Sequence, residues 1–105
     1  MAVTTDAITI AELRSKRDEI LRIAESLGAA NVRVFGSVAR NEADSQSDID
    51  LLVDIVAEVR GWNYFGLLVD LQSAFTDLLG RDVHVVDSAS LKRIKIQVLR
   101  DAIPI

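Results

Sequence analysis

The stretch VFGSVARNEADSQSDIDLLVD, Val34 to Asp54, decides the fold. It leaves an apolar run through Gly36-Ser37, crosses a polar loop and enters two aspartates, Asp48 and Asp50, on either side of Ile49. The following Leu51-Leu52-Val53 reads as a strand buried on both faces. Like charges at the edge of a core repel one another, so a compensating partner is expected beside them. Side chains alternate along a strand, which sends Asp48 and Asp50 to one face and Ile49 to the other. Two carboxylates so placed reach one divalent cation, and Mg²⁺ is commonly held by one or two carboxylates together with substrate phosphates. Gly36 lets the backbone approach a phosphate, Ser37 adds a hydroxyl, and a short helical turn after them presents free N–H groups. Strand, Gly-Ser turn and Asp-x-Asp strand together describe a triphosphate and metal site. Taken singly, Gly-Ser is an ordinary turn and Asp-x-Asp an ordinary solvated strand edge. A calcium loop over Asp44, Gln46, Asp48 and Asp50 fails, because Ile49 stands where its glycine belongs and Ile55 where its glutamate belongs.

Helices and strands alternate outward from this stretch. Upstream, TIAELRSKRDEILRIAESLG places Ile10, Leu13, Arg17, Ile20, Leu21, Ala24 and Leu27 near one stripe. Thr9 and Glu12 match a capping box and Gly28 a stop, so one helix is expected between them. Residues Asn31 to Phe35 alternate as a strand ending at Gly36, with a helical turn over Ser37 to Arg40. Downstream, GWNYFGLLVDLQSAFTDLLG predicts a long helix with Trp62, Phe65, Leu68, Val69, Phe75 and Leu79 on a broad apolar face, closed by Gly80. DVHVVD is a third strand, and Ser88 or Ser90 is expected to cap a last helix running to about Arg100.

With 105 residues, half of them apolar, the chain fits one domain with its own core. The lack of cysteine excludes disulfides, thiolate metal sites and cysteine nucleophiles. No apolar run approaches the roughly 20 residues of a membrane span, and no leader pattern opens the chain, so no membrane partner and a cytoplasmic location are expected. A net charge of −4 argues against general nucleic-acid binding, which needs a positive surface. Lys92, Arg93, Lys95 and Arg100 nevertheless form a basic run near the end, read as a solvated helix face.

GSVARNEADSQSDIDLLVD resembles the signature of the minimal nucleotidyltransferases, small members of the DNA polymerase beta superfamily, and the likeness extends over nearly the whole chain. It implies a nucleotidyltransferase α/β fold, a small mixed sheet flanked by helices, as one domain over residues 1–105. It also implies Gly36 and Ser37 on the nucleotide phosphates, and Asp48 and Asp50 as catalytic ligands of Mg²⁺. The chemistry implied is attack of an acceptor hydroxyl on the α-phosphorus of an NTP, with ATP the nucleotide. The family usually carries a third acid on the later strand, and alignment of DVHVVD puts His84 there. His84 is then either a neutral base, a sign of lapsed catalysis, or a histidine satisfied by a backbone partner. Asp82, two residues earlier on the same face, is the better substitute acid; Asp87 faces the other way, and Asp54, about 13 Å beyond Asp50, is strand-terminal. Arg40 is a further candidate for a phosphate. Arg33 is expected to point outward, and Trp62 to pack in the core, with an exposed partner contact as the less favoured alternative.

Relatives of this size commonly pair with a HEPN-domain ribonuclease toxin as its antitoxin, adenylylating it, often on tyrosine. The resemblance therefore implies a Mg²⁺-dependent antitoxin that transfers AMP from ATP to a HEPN toxin, with homo- or hetero-oligomers allowed. The rival reading is a degenerate module that neutralises its partner by binding alone. A small-molecule nucleotidyltransferase of the aminoglycoside-modifying type is disfavoured, since no second substrate domain is visible.

Overall fold

A computed structural model describes residues 8–58, 61–90 and 96–105. Two helices, α1 (Ile10–Ser15) and α2 (Arg17–Leu27), lead into β1 (Ala29–Phe35) and a single-turn helix α3 (Gly36–Ala39). Then come β2 (Ile49–Ile55), α4 (Trp62–Leu79), β3 (Val83–Asp87), a 3₁₀ turn (Ser88–Ser90), α5 (Ile96–Asp101) and β4 (Ile103–Pro104). The four strands form one mixed sheet in the order β3-β2-β1-β4. β2 runs antiparallel to β1 and parallel to β3, and β4 is antiparallel to β1.

The expected N-terminal helix is two helices. Thr9 and Glu12 do form the capping box and Gly28 ends α2 in the left-handed region. The backbone turns at Lys16 (φ −111, ψ 19), however, and Arg17 is exposed rather than part of the packing stripe. Leu13, Ile20 and Ala24 carry the burial.

β2 is the centre of the molecule. Ile49, Leu51, Leu52 and Val53 are fully buried because strands flank β2 on both sides and helices cover the face holding Ile49, Leu51 and Val53. α2 and α4 supply Ile20, Leu71 and Phe75 to that face. Truncating a ring buried as Phe75 is costs about 3–5 kcal/mol, so this layer fixes where the sheet lies.

α4 differs from its expected apolar face. Leu67, Leu71 and Phe75 are buried, whereas Trp62, Phe65 and Val69 are 88%, 59% and 61% exposed. Trp62 is therefore not a core residue. The reason is local: α4 packs by the arc that holds Leu67, Leu71 and Phe75, with Leu68 and Leu79 of the expected face packed beside them, and Trp62, Phe65 and Val69 lie outside that arc. Gln72 Oε1 and Thr76 Oγ1 accept the N–H groups of Val85 (3.0 Å) and Val83 (3.1 Å), which binds the helix to the outer edge of β3.

The C-terminus also departs from expectation. A 3₁₀ turn occupies Ser88–Ser90 and α5 covers Ile96–Asp101 of the helix expected from Ser88 or Ser90 to about Arg100, while residues 91–95, with Lys92, Arg93 and Lys95, lie outside the described residues. β4 was not foreseen. Its two residues pair with Arg33 and Val34, and Ile105 N–H donates to the Val32 carbonyl at 3.2 Å. No helix among the described residues is long and apolar enough to cross a membrane.

Candidate active site

The sheet has one face packed on helices α2 and α4 and an opposite face that carries the chemistry. Along β2, Asp50 lies between Phe35 of β1 and His84 of β3 in the pairing registers. Asp48 stands one residue before the strand rather than within it. It nonetheless reaches the same place, with Asp48 Oδ2 2.9 Å from His84 Nε2. His84, distant in sequence from Asp48 and Asp50, thus meets them at one end of the sheet. Parallel pairing of β2 and β3 causes this, because it sets the starts of both strands side by side.

Gly36 closes the other side of Asp50. Its φ is +72, the left-handed region that suits glycine, and a Cβ built there would collide with Asp50 Oδ2. The glycine is needed by the carboxylate itself, a reason more specific than room for a phosphate. Ser37 follows in α3, and its carbonyl accepts Glu42 N–H at 2.8 Å, which folds the polar loop back on the turn. Arg40 ends this turn. Its guanidinium is held by Glu42 through Nε (2.9 Å) and by Asp101 through Nη1 (3.2 Å), so a phosphate there would share its charge with these two acids.

Burial is the main cause that raises the Asp50 carboxyl pKa above the ordinary value; Asp48 adds to it, and His84 and Arg40 oppose it. A half-buried carboxylate with a second acid beside it suits a hard cation, whose charge would remove this penalty. Among the described residues no three or more acidic, histidine or cysteine side chains already surround a common point. The donor set present is two carboxylates, which fits Mg²⁺ completed by phosphate oxygens and water.

The remaining sequence candidates separate. Asp82 precedes β3 and is exposed; its carbonyl accepts Ile49 N–H at 3.0 Å. Asp87 is indeed on the opposite face. It is buried, accepting Tyr64 O–H at 2.7 Å and Ala89 N–H at 3.1 Å. Burial and this bond push the Tyr64 phenol up to about 12. Asp54 is more than a strand end: Arg33 and Asn31 donate to it at 2.7 Å each, and Ser88 O–H donates as well. These donors lower its carboxyl pKa, Asn31 first and Ser88 next. Arg33 is accordingly engaged in an ion pair rather than pointing to solvent. Asn31, with φ +52 at an irregularity between Ala30 and Arg33, escaped sequence reasoning; an asparagine at a strand start is the signal that marks such a bulge.

Two grooves adjoin the site. One of about 360 Å³ lies between α4 and β3 and includes His84 and Asp82, and one of about 350 Å³ includes Ser47, Asp48 and Asp82. A larger groove of about 450 Å³ between α2 and the start of β1 contains none of the candidates.

The fold agrees with comparisons to known proteins. The chain is similar to a protein assigned as a protein adenylyltransferase in Methanocaldococcus jannaschii, 33% identical over 90% of this chain and 96% of the relative. It is also similar to the protein adenylyltransferase MntA of Thermococcus cleftensis, 37% identical over 77% and 79%. A solved structure assigned as a minimal nucleotidyltransferase superposes with TM-score 0.70 at 41% identity, covering 93% of this chain and 97% of that one. A crystal structure of a toxin–antitoxin with AMP-PNP shares the fold at TM-score 0.62 and 21% identity, over 86% and 69%. Residues 17–104 match the model of the nucleotidyltransferase domain, and the chain belongs to that family, as one of its minimal members.

Proposed function

We propose that the protein is a Mg²⁺-dependent nucleotidyltransferase antitoxin that moves AMP from ATP to a HEPN-domain ribonuclease toxin. The observation that carries this reading is the convergence of Asp48, Asp50 and His84 on one sheet end, with Gly36 shaped to the Asp50 carboxylate. The adenylyltransferase names of relatives above 30% identity support a protein acceptor.

Asp48 and Asp50 would hold Mg²⁺, and Gly36, Ser37 and Arg40 would receive the phosphates. When bound, the cation supplies positive charge where the phosphates crowd and where pyrophosphate departs. The acceptor hydroxyl oxygen bonds to the α-phosphorus, the bond from that phosphorus to the bridging oxygen breaks, and pyrophosphate leaves. The hydroxyl proton passes to His84, if its ring is neutral, or to water.

A binding module that neutralises by contact alone is the second reading. His84 at the position of a third acid favours it. One experiment separates the two: incubate the protein with α-labelled ATP, Mg²⁺ and a purified HEPN protein encoded beside it. Label on the HEPN protein, lost with Asp48→Asn and Asp50→Asn together, supports transfer. Tight binding without label supports the module, and neither outcome with a folded pair removes the toxin reading.

A further inference from the structure

α4 offers to solvent a stripe that core packing leaves unused. Trp62, Phe65 and Val69 recur at helical spacing and are all more than half exposed, with the Trp62 and Phe65 rings 6.2 Å apart. The same stripe continues through Gln72 and Thr76, the side chains that bind α4 to the edge of β3. Val69 also lines the groove of about 360 Å³ whose other end holds His84. From Trp62 to Thr76 the helix rises about 21 Å. A stripe that is apolar at Trp62, Phe65 and Val69 and polar at Gln72 and Thr76 thus leads along α4 to the side chain that touches Asp48.

Charge decides which reactant uses this track. Asp77 and Asp82 line the groove and, among the described residues, no lysine or arginine does, so a polyphosphate is repelled from it. Asp50 moreover separates two approaches, with Phe35 and Gly36 on the β1 side and His84 on the β3 side. The nucleotide belongs to the glycine side, and the groove side is left for the other reactant.

We infer that the α4 stripe and the groove beside β3 dock the polypeptide acceptor. The segment that fits has an apolar or aromatic anchor against Trp62, Phe65 and Val69 and lysine or arginine against Asp77 and Asp82. Its hydroxyl-bearing residue then lies at His84. The acceptor's role rests on the transfer reading above; the binding itself does not.

Trp62 is the sole tryptophan, so its fluorescence reports the contact directly. The protein is titrated with a synthetic tyrosine peptide carrying leucine and lysine, and with a matched peptide in which glutamate replaces lysine. The lysine peptide is expected to shift the emission to shorter wavelength saturably, and the glutamate peptide to bind about ten-fold more weakly or worse. Phe65→Ser with Val69→Ser should weaken the lysine peptide by a similar factor, and Asp77→Lys should narrow the preference. All these side chains are exposed, so thermal melts should match the parent. No saturable shift, equal binding of the two peptides, or indifference to the variants overturns the inference. So does a dimer in sedimentation that accounts for the same shift. ATP with Mg²⁺ is titrated separately, read at the Gly36 and Ser37 amides by NMR. Peptide binding without nucleotide binding refutes transfer and upholds the docking surface; nucleotide binding without peptide binding overturns the docking surface alone.

Discussion

Replacing Gly36 by alanine tests the site through one methyl group. At φ +72 an L-residue costs about 1–2 kcal/mol through contact of Cβ with backbone. Here the Cβ also meets Asp50 Oδ2, with Asp50 Cγ at 3.3 Å. Turning that carboxylate off its rotamer adds about 0.5–1.5 kcal/mol, so a total near 2–3 kcal/mol is expected. Gly80 is the internal control, because its φ is +71 and nothing lies within 4 Å of a Cβ built on it. Gly80→Ala should carry the backbone cost alone, and each 1 kcal/mol lowers the Tm of a domain this size by about 4–8 °C. Adding Asp50→Ala to Gly36→Ala should recover about 1 kcal/mol relative to the sum of the single changes. The assays are urea unfolding followed by circular dichroism and ATP binding with Mg²⁺ by calorimetry. Gly36→Ala should lose nucleotide binding by displacing a ligand, and Gly80→Ala should keep it. Equal destabilisation by both alanines, with nucleotide bound by both, would refute the steric link between Gly36 and Asp50.

Other changes follow from the charges. Because burial raises the Asp50 pKa, the folded chain keeps a proton that the unfolded chain has released, and stability falls as pH rises through the carboxylate range. In metal-free buffer Asp50→Asn should therefore raise the neutral-pH Tm and flatten that fall, while Mg²⁺-dependent ATP binding disappears. Asp54 has the opposite sign: its pKa is lowered, so its contribution is present above the unfolded value of about 3.9 and is lost as pH falls through the folded one. Asp54→Asn should cost about 1–2 kcal/mol at neutral pH and remove that acid limb from melts recorded across pH. At His84, aspartate should create or increase AMP transfer if catalysis has lapsed. If histidine is the base, His84→Ala should lose transfer and keep partner binding. Full transfer by the alanine variant would discard both versions.

Much of the molecule was legible locally. The capping box at Thr9 and Glu12 and the left-handed stops at Gly28 and Gly80 are short-range backbone chemistry, and each stands where the residues put it. The Gly-Ser turn and the strand that carries Asp50 were readable for the same reason, since alternation in a strand is a property of a few consecutive residues, although Asp48 stands one residue ahead of that strand. Composition similarly excluded thiolate and disulfide chemistry without any coordinates.

What tertiary structure decided is which of several possible surfaces each element buries. Apolar residues surround much of α4, so periodicity alone assigned Trp62, Phe65 and Val69 to the core. Packing kept the expected Phe75, Leu68 and Leu79, added Leu67 and Leu71, and left an aromatic stripe beside the candidate site. The contact between His84 and Asp48 spans 36 positions and depends on parallel pairing, which no local pattern encodes. The bulge at Asn31, the Asp54 ion pair with Arg33 and the two residues of β4 arise likewise from neighbours distant in the chain. Local propensity names the donors and the turns; long-range pairing sets which carboxylate meets which partner, because a contact free energy exists only once both surfaces are brought together.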